Sequence, residues 1–329
     1  MWLRRGLMSD DVTTSWRVLV DEAARRLRRA GVESAEVSAR RIGEEAAGLE
    51  GVAFVLGLDQ PTSERAVARF DSMVGRRVGG EPLQYVLRRW GFRTLDLLVD
   101  PRVLIPRPET EQVVEEALTE LDRLAGAHLS APERTAGATP QRFRSGEISV
   151  ESTSNRRRRT IAADLGCGSG AIGLSIAAER DQVDVWCVDS SPDALAVTRA
   201  NLAGLGMAGT HVAVLEGSWF DPLPPQLAGA IDLIVTNPPY VATGDELPAE
   251  VANWEPIAAL VAGATGLEAI EQIVQQAPQW LAPGGVLVSE IGDSHGPAAA
   301  GAASRAGFET VEIRPDLAGR DRTLVARQH

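Results

Sequence analysis

The spacing of hydrophobic positions changes twice along the chain. Across residues 14–77, apolar residues recur three or four positions apart among arginines and acidic residues, a spacing typical of amphipathic helices. Across residues 81–106 the spacing becomes strand-like, and a short turn separates the segments 90–93 and 95–99. These changes predict a helical domain over residues 1–80, a β-hairpin linker over 81–106 and a third domain over 107–329.

From residue 160 onward, short apolar runs alternate with helical segments. This alternation predicts an α/β fold in which helices cover both faces of a parallel, Rossmann-like sheet. A helix is expected to precede the sheet at residues 107–124, because Pro108 suits a first helical turn. Seven strands are expected, the last two as an antiparallel pair; they cover residues 160–165, 183–189, 211–215, 231–236, 285–291, 307–314 and 321–327.

The stretch 126–159 matches neither spacing, since it is rich in Ser, Thr, Pro, Gly and Arg. Such a composition buries too little apolar surface to offset the entropy of ordering the chain. We therefore predict a disordered insert. It ends in four arginines at 156–159, which we interpret as a solvated charge run; contact with RNA or a phosphorylated partner is the alternative.

A short polar and aromatic segment directly follows the apolar run 231–235, and it consists of Asn237, Pro238, Pro239 and Tyr240. Neither proline can donate a hydrogen bond to a β-ladder, so the strand is expected to end here. In open α/β sheets, ligands bind at the carboxyl ends of the strands. The segment is predicted to hold an amide, two backbone carbonyls and an aromatic ring at a reaction site, although most Asn-Pro dipeptides only form turns.

A glycine-rich turn follows the predicted strand 160–165 and leads into a helix. Glycines let a backbone approach a ligand closely, and a helix N-terminus offers free N–H groups. The next predicted strand ends in Asp189, whose carboxylate can accept hydrogen bonds from ribose hydroxyls. Two neighbouring strand ends therefore predict a nucleoside pocket, and its turn residues are Gly166, Cys167, Gly168, Ser169 and Gly170.

Two cofactors carry a nucleoside that suits such a pocket. Gly168, Gly170 and Gly173 satisfy the dinucleotide fingerprint G-x-G-x-x-G, which alone is a weak signal for NAD. S-adenosylmethionine is favoured because the glycines begin one step earlier, at Gly166, and because the segment 237–240 has no role in hydride transfer.

With these motifs the chain resembles the class I methyltransferases that modify planar amino groups, and more narrowly the peptide chain release factor glutamine methyltransferases. The most specific block is Val-Leu-Ile-Pro-Arg-Pro-Glu-Thr-Glu at 103–111, which general methyltransferases lack. Cys167 departs from the family pattern, which has threonine or alanine there. The narrower resemblance is carried by the blocks 80–85, 103–111, 166–170, 217–220, 237–240 and 254–256.

The resemblance implies a seven-stranded class I methyltransferase sheet and transfer of a methyl group from S-adenosylmethionine. The acceptor would be the side-chain amide nitrogen of the glutamine in the Gly-Gly-Gln motif of release factors, which supports translation termination. The helical domain would help to grip the release factor. Family resemblance also places Trp219 beside the adenine, and Phe92 with the turn 106–108 at the wall of the methyl-donor pocket.

A glutamine amide is a poor nucleophile, because its nitrogen lone pair is delocalised into the carbonyl. The side-chain oxygen of Asn237 and the backbone carbonyl of Pro238 are expected to accept its two N–H bonds and aim the nitrogen at the methyl group. Tyr240 is expected to pack on the planar amide, with Pro239 completing the substrate site. Asn237 is also expected to contact the cofactor. Glu290 is open between support of the cofactor side and a structural role.

Two other functions are compatible with parts of this pattern. A methyltransferase for the exocyclic amine of adenine would use the same Asn-Pro-Pro-Tyr segment, and a non-catalytic cofactor-binding scaffold in translation would keep the fold. The net charge of −12 opposes binding to extended nucleic acid, because an acidic surface repels phosphate. A protein substrate fits this charge better, and we expect a monomer without stable nucleic-acid binding.

Composition constrains the compartment and the metal content. Only 2 cysteines are present, and neither has metal-ligand spacing, so neither a disulfide framework nor a metal site is expected. No window resembles a signal peptide or a membrane span. A cytoplasmic enzyme is therefore expected.

Overall fold

The structure is a computed structural model that describes residues 14–130 and 158–329. Most of the predicted insert over 126–159 lies outside these residues, and its disorder stays a prediction. The chain divides into two compact units, Met1–Arg88 and Arg89–His329. Within the described residues, no helix has both the length and the apolar character that a membrane span requires.

The first unit is helical, and the buried residues of its longer helices recur mainly three or four positions apart. Trp16 forms its centre and packs edge to face against Phe54 and Phe70, with ring centroids 5.9 Å away in both cases. Such aromatic pairs contribute beyond the area that they bury. The helices are α1 (Trp16–Arg29), α2 (Ala35–Ala47), α3 (Gly51–Leu56), α4 (Glu64–Val78) and α5 (Leu83–Leu87).

The second unit begins with the expected hairpin, formed by β1 (Trp90–Phe92) and β2 (Leu95–Leu97). Helix α6 (Pro108–Ser130) follows, and it continues past Gly126, where the sequence predicted that the insert begins. An exposed glycine inside a helix costs only about 1 kcal/mol relative to alanine, which is too little to end a helix by itself.

A seven-stranded sheet dominates the second unit, in the order β10-β11-β9-β6-β3-β4-β5. The five parallel strands are β9, β6, β3, β4 and β5. Strand β11 pairs antiparallel with β9, and β10 pairs antiparallel with β11, as expected. The strands are β3 (Thr160–Leu165), β4 (Val183–Asp189), β5 (Val212–Glu216), β6 (Ile231–Thr236), β9 (Leu281–Glu290), β10 (Thr310–Pro315) and β11 (Asp321–Arg327).

Helices and short elements connect these strands. A two-stranded parallel pair, β7 (Val241–Ala242) and β8 (Val261–Gly263), was not predicted. Three short 3₁₀ turns lie at Ala208–His211, Pro225–Leu227 and Ile257–Ala259. The helices are α7 (Ala171–Glu179), α8 (Pro192–Ala203), α9 (Ala249–Trp254), α10 (Glu268–Trp280) and α11 (Gly296–Ala306).

The strand register brings the expected site residues to one edge of the sheet. Thr236 of β6 lies beside Leu165 of β3 on one side and Ser289 of β9 on the other. The Thr236 hydroxyl also donates a hydrogen bond to the Leu165 carbonyl, at 2.6 Å. The next residues along the chain therefore lie side by side at the carboxyl edge of the sheet, and they are Gly166, Asn237 and Glu290.

The described end of the arginine run differs from the solvated charges that we predicted. Arg158 donates two hydrogen bonds to the buried carboxylate of Asp232, at 2.7 and 2.9 Å. Arg159 donates to Asp184 at 2.6 Å. These arginines flank the start of β3 and hold it against β6 and β4, so at least these two have a structural role.

The close approach of α7 to the sheet gives the first testable prediction. A Cβ added at Gly173 would lie 2.7 Å from the Cys187 sulfur and 2.9 Å from Asp164 Oδ2. We expect Gly173→Ala to lower the free energy of unfolding by roughly 1–3 kcal/mol through overpacking. Urea denaturation measures this change.

The matched control is Gly301→Ala in α11, where a Cβ would meet only the end of the Arg305 side chain, at 3.2 Å. That variant should keep its stability or gain up to about 1 kcal/mol, since alanine is the better helix former. An unchanged midpoint for Gly173→Ala would contradict the tight packing between α7 and β4.

Candidate active site

A cavity of about 220 Å³ opens at the carboxyl edge of the sheet. Six of the residues predicted from the sequence line it together, although they come from four separate segments: Gly166, Gly168, Asp189, Trp219, Asn237 and Pro239. Cys167, Ser169 and Gly170 lie in the same glycine turn but not in the cavity wall, and Cys167 and Ser169 are buried. Direct contact between these three residues and a cofactor stays a prediction.

Where the glycine turn lines the cavity, it presents backbone atoms that no side chain of its own covers. Gly168 has φ +56°, in the left-handed region that favours glycine, and a Cβ added there would meet no atom within 4 Å. Its N–H donates to Asp189 Oδ2 at 2.8 Å, which ties the turn to the end of β4. The space beside Gly168 is therefore open to a ligand.

Asp189 lies where the sequence placed a ribose acceptor. Its Oδ1 accepts a second backbone hydrogen bond, from Ser191 N–H at 2.9 Å. Burial raises the pKa of Asp189, and the backbone N–H groups of Ser191 and Gly168 oppose that rise. An ionised carboxylate has about four acceptor positions, so acceptor capacity remains for hydroxyl groups of a ligand.

Trp219 covers the turn from the side. A Cβ added at Gly166 would lie 3.3 Å from the Trp219 ring, so the indole packs directly on the glycine backbone. The indole N–H donates to Gln272 Oε1 at 3.1 Å. Trp219 has φ +46°, which is uncommon for a bulky residue and fixes the ring in the cavity wall.

The opposite wall differs from the one that family resemblance suggested. Arg102, Val103 and Leu104 line the cavity, whereas Phe92 and the turn 106–108 do not. Phe92 is buried instead, because alternate positions in the short β1 strand face opposite sides. Arg102 is held in place by two hydrogen bonds to Asp100, at 2.6 and 2.8 Å.

Glu255 connects two of the sequence blocks that are distant along the chain. Its carboxylate accepts from the Arg107 guanidinium at 2.5 Å and from the Ile105 backbone N–H at 3.1 Å. The side chain of Glu255 is almost fully buried. The block 103–111 is therefore fixed against the block 254–256 at the rim of the cavity.

A second cavity of about 220 Å³ is lined by the last residue of the Asn-Pro-Pro-Tyr segment. Tyr240 lines this second cavity, whereas Asn237 and Pro239 line the first. Burial and the Glu290 charge raise the pKa of Tyr240, so its hydroxyl stays protonated. The second cavity is lined by Arg107, Glu109, Tyr240, Glu290, Arg320 and Arg322.

A buried hydrogen-bond network joins the two ends of the segment. Asn237 Nδ2 donates to Thr110 Oγ1 at 3.3 Å, and Thr110 Oγ1 donates to Glu290 Oε2 at 2.6 Å. The Tyr240 hydroxyl donates to Glu290 Oε1 at 3.2 Å. Sequence reasoning left the role of Glu290 open and did not single out Thr110, although Thr110 belongs to the most specific block.

Asp164 lies beneath the glycine turn, with no exposed surface. Its Oδ2 accepts from the Gly173 N–H at 2.8 Å, whereas its Oδ1 has no hydrogen-bond partner among the residues that the structure describes. Burial raises the pKa of Asp164 to about 7. The carboxyl group is therefore far easier to protonate in the folded protein than in an unfolded chain.

Two known protein families match separate parts of the chain, one in each unit. The PrmC N-terminal domain family matches residues 19–87, and the methyltransferase small domain family matches residues 147–254. A methyltransferase structure from Pyrococcus furiosus aligns over 72% of this chain and 90% of that chain, with 14% identity and a TM-score of 0.42.

Curated relatives are similar over much longer stretches. A release factor glutamine methyltransferase from Bifidobacterium longum is 35% identical over 94% of this chain and 98% of its own length. One from Xylella fastidiosa is 38% identical over 82% of this chain and 84% of its own length. The similarity therefore covers both units.

The raised pKa of Asp164 predicts a pH dependence of stability. Between an ordinary pKa of 3.8 and the folded value of about 7, the folded protein holds a proton that the unfolded chain has lost. Stability should therefore decrease as the pH rises through this range. We expect Asp164→Asn, which cannot ionise, to show a smaller decrease in its urea midpoint over the same range. Parallel midpoint curves for the two proteins would contradict the raised pKa.

Proposed function

This chain belongs to the family of release factor glutamine methyltransferases, and on that basis we propose that it methylates the Gly-Gly-Gln glutamine of peptide chain release factors. The methyl group would pass from S-adenosylmethionine to the side-chain amide nitrogen. The observation that carries the proposal is the position of Asn237 and Tyr240. Asn237 lines the cavity that the glycine turn also lines, and Tyr240, three residues later, lines a second cavity.

The first cavity has the features that S-adenosylmethionine requires. Gly166 and Gly168 would hold the methionine end with bare backbone, and the free acceptor positions of Asp189 would take the ribose hydroxyls. Trp219 would lie beside the adenine. The cofactor supplies an electrophilic methyl group on a sulfonium.

The chemistry left to the protein is to orient a weak nucleophile. Asn237 Oδ1 and the Pro238 carbonyl would accept the two N–H bonds of the glutamine amide, which aims the nitrogen toward the methyl donor. Tyr240 would pack on the planar amide and exclude water, which strengthens these hydrogen bonds. Well-oriented reactants recover roughly 7–11 kcal/mol of a barrier. No strong base is needed, because the proton can leave after methyl transfer.

The partner would be a protein rather than a nucleic acid. The net charge of −12 weakens attraction to phosphate, and the block 103–111 that separates this family from adenine-modifying enzymes is built into the rim through Glu255. We propose that the helical unit over 1–80 contributes to recognition of the release factor. We further propose that the enzyme acts as a monomer in the cytoplasm, where release factors terminate translation.

The role of Asp189 leads to a prediction about the cofactor. Asp189→Ala should weaken S-adenosylmethionine binding by roughly 1.5–3 kcal/mol, the range for a hydrogen bond to a charged group. Isothermal titration calorimetry measures the affinity, with the exposed Asp181→Ala as the control that should bind normally. Turnover at saturating cofactor should change less. Normal affinity with collapsed turnover would assign Asp189 to the chemistry instead.

The role of Asn237 leads to a prediction about the methyl acceptor. Asn237→Ala should decrease methyl transfer to release factor roughly 10²-fold or more, as when one preorganised polar group at a reacting centre is removed. Cofactor affinity should stay near normal. Asn237→Asp keeps an acceptor oxygen and should retain part of the activity. The measurement is transfer of labelled methyl to purified release factor, and the exposed Gln226→Ala is the control.

The same assay distinguishes the acceptor. A release factor whose Gly-Gly-Gln glutamine is changed to glutamate should take no label from the unmodified enzyme. Duplex and structured nucleic acid, offered beside the release factor, should also remain unlabelled. Label in the altered release factor, or preferential label in nucleic acid, would overturn the glutamine assignment.

A further inference from the structure

Thr110 and Glu290 are buried polar residues that the proposed chemistry does not use. They are 3% and 1% exposed, and they lie behind the Asn-Pro-Pro-Tyr segment. Thr110 is in the first turn of α6, whereas Glu290 ends β9, so the contact between them joins a helix to the sheet edge. Both hydrogen bonds of the Thr110 hydroxyl join it to groups in or beside the proposed site.

The direction of each hydrogen bond follows from the chemistry of the groups. While Glu290 is ionised it accepts but cannot donate, so the hydroxyls of Thr110 and Tyr240 must both give their protons to it. The remaining lone pairs of Thr110 can then only accept. Asn237 must therefore turn its NH₂ group toward Thr110, because its carbonyl oxygen would meet lone pairs there.

We infer that Thr110, with its proton held by Glu290, is the positioning residue that fixes the amide orientation of Asn237. The inference rests on the proposed function for its consequence in catalysis. With the NH₂ group committed to Thr110, Asn237 Oδ1 is the atom left to accept an N–H bond from the acceptor amide. A flipped Asn237 would present an N–H donor to the N–H donor of the substrate.

This arrangement addresses an ambiguity that is specific to asparagine. The two ends of its side-chain amide have nearly the same size and shape, so packing alone distinguishes them weakly. A single hydrogen bond favours one orientation by roughly 2- to 12-fold. Thr110 therefore determines which end of the Asn237 amide faces it, a choice that the shape of the site determines only weakly.

An orientation of Asn237 can be observed without any enzyme activity. In ¹⁵N-labelled protein, the side-chain NH₂ signals of Asn237 are assigned by their loss in Asn237→Asp. We expect slow hydrogen exchange for these signals in the unmodified protein and in Thr110→Ser, which keeps the hydroxyl. Thr110→Val should speed their exchange roughly tenfold, the effect of removing about one hydrogen bond. Exchange that does not respond to Thr110→Val would overturn the inference.

Kinetics then test the consequence for methyl transfer. At mildly alkaline pH, Thr110→Val should decrease kcat for release factor by up to about twofold, because loss of the roughly 2- to 12-fold preference leaves about half of Asn237 in the productive orientation. Cofactor affinity should stay unchanged, and Thr110→Ser should restore most of kcat. Glu290→Gln should also lower kcat, because its amide can donate to Thr110 and reverse the network. Thr119→Val, at an exposed position of the same helix, is the matched control with normal kcat.

The decisive comparison uses Asn237→Asp as a background. A carboxylate presents an oxygen in either orientation, so Thr110→Val should leave the residual activity of that variant unchanged. A purely structural role of Thr110 would instead produce the same fold decrease in both backgrounds and would overturn the inference. An unmodified enzyme that does not label release factor would refute the proposed function, whereas the exchange measurement would still decide the orientation of Asn237.

Discussion

The parallel register of three central strands is the constraint on which the site depends. Because Thr236 lies between Leu165 and Ser289, the chain leaves β3, β6 and β9 at the same level. The hydroxyl of Thr236 strengthens this alignment by bonding to the last carbonyl of β3. A shift of one residue in β6 would move Asn237 along the edge and turn its side chain to the other face of the sheet.

Two buried carboxylates then fix the segment 105–110, which leads into the first turn of α6, against that edge. Glu255 holds the backbone of Ile105 and the guanidinium of Arg107, and Glu290 holds the hydroxyl of Thr110. The sheet alone would place Asn237 and Tyr240, but it would leave one side of each uncovered. The block 103–111 is therefore a structural partner of the Asn-Pro-Pro-Tyr segment, which gives a physical reason for the specificity of this block.

The sequence predicted features that local chemistry determines. The strands end where apolar runs meet proline or glycine, so Asn237, Gly166 and Asp189 could be placed at strand ends without coordinates. The helix predicted over 107–124 continues to Ser130 instead, because the cost of the exposed Gly126 is small compared with the cooperativity of a long helix. The ion pairs of Arg158 and Arg159 could not be predicted, because their partners Asp232 and Asp184 are 74 and 25 residues away.

The contacts around the site could not be predicted either, because they too join residues that are far apart along the chain. Ile105 and Glu255 are 150 residues apart along the chain, and Thr110 and Glu290 are 180 residues apart. Nothing in the local pattern at Thr110 distinguishes it from an ordinary residue in a first helical turn. Only the fold shows that its hydroxyl meets a buried carboxylate.

The burial of Glu290 is itself informative about function. Removing a carboxylate from water costs several kcal/mol, and an apolar side chain of similar size would usually serve folding as well or better. Burial raises the pKa of Glu290, and the Thr110 and Tyr240 hydrogen bonds and the Arg322 charge oppose that rise. What an apolar residue could not do is hold the protons of two hydroxyls in defined directions. Because one of those hydroxyls contacts Asn237 and the other belongs to Tyr240, the carboxylate is placed to set the polarity of the site.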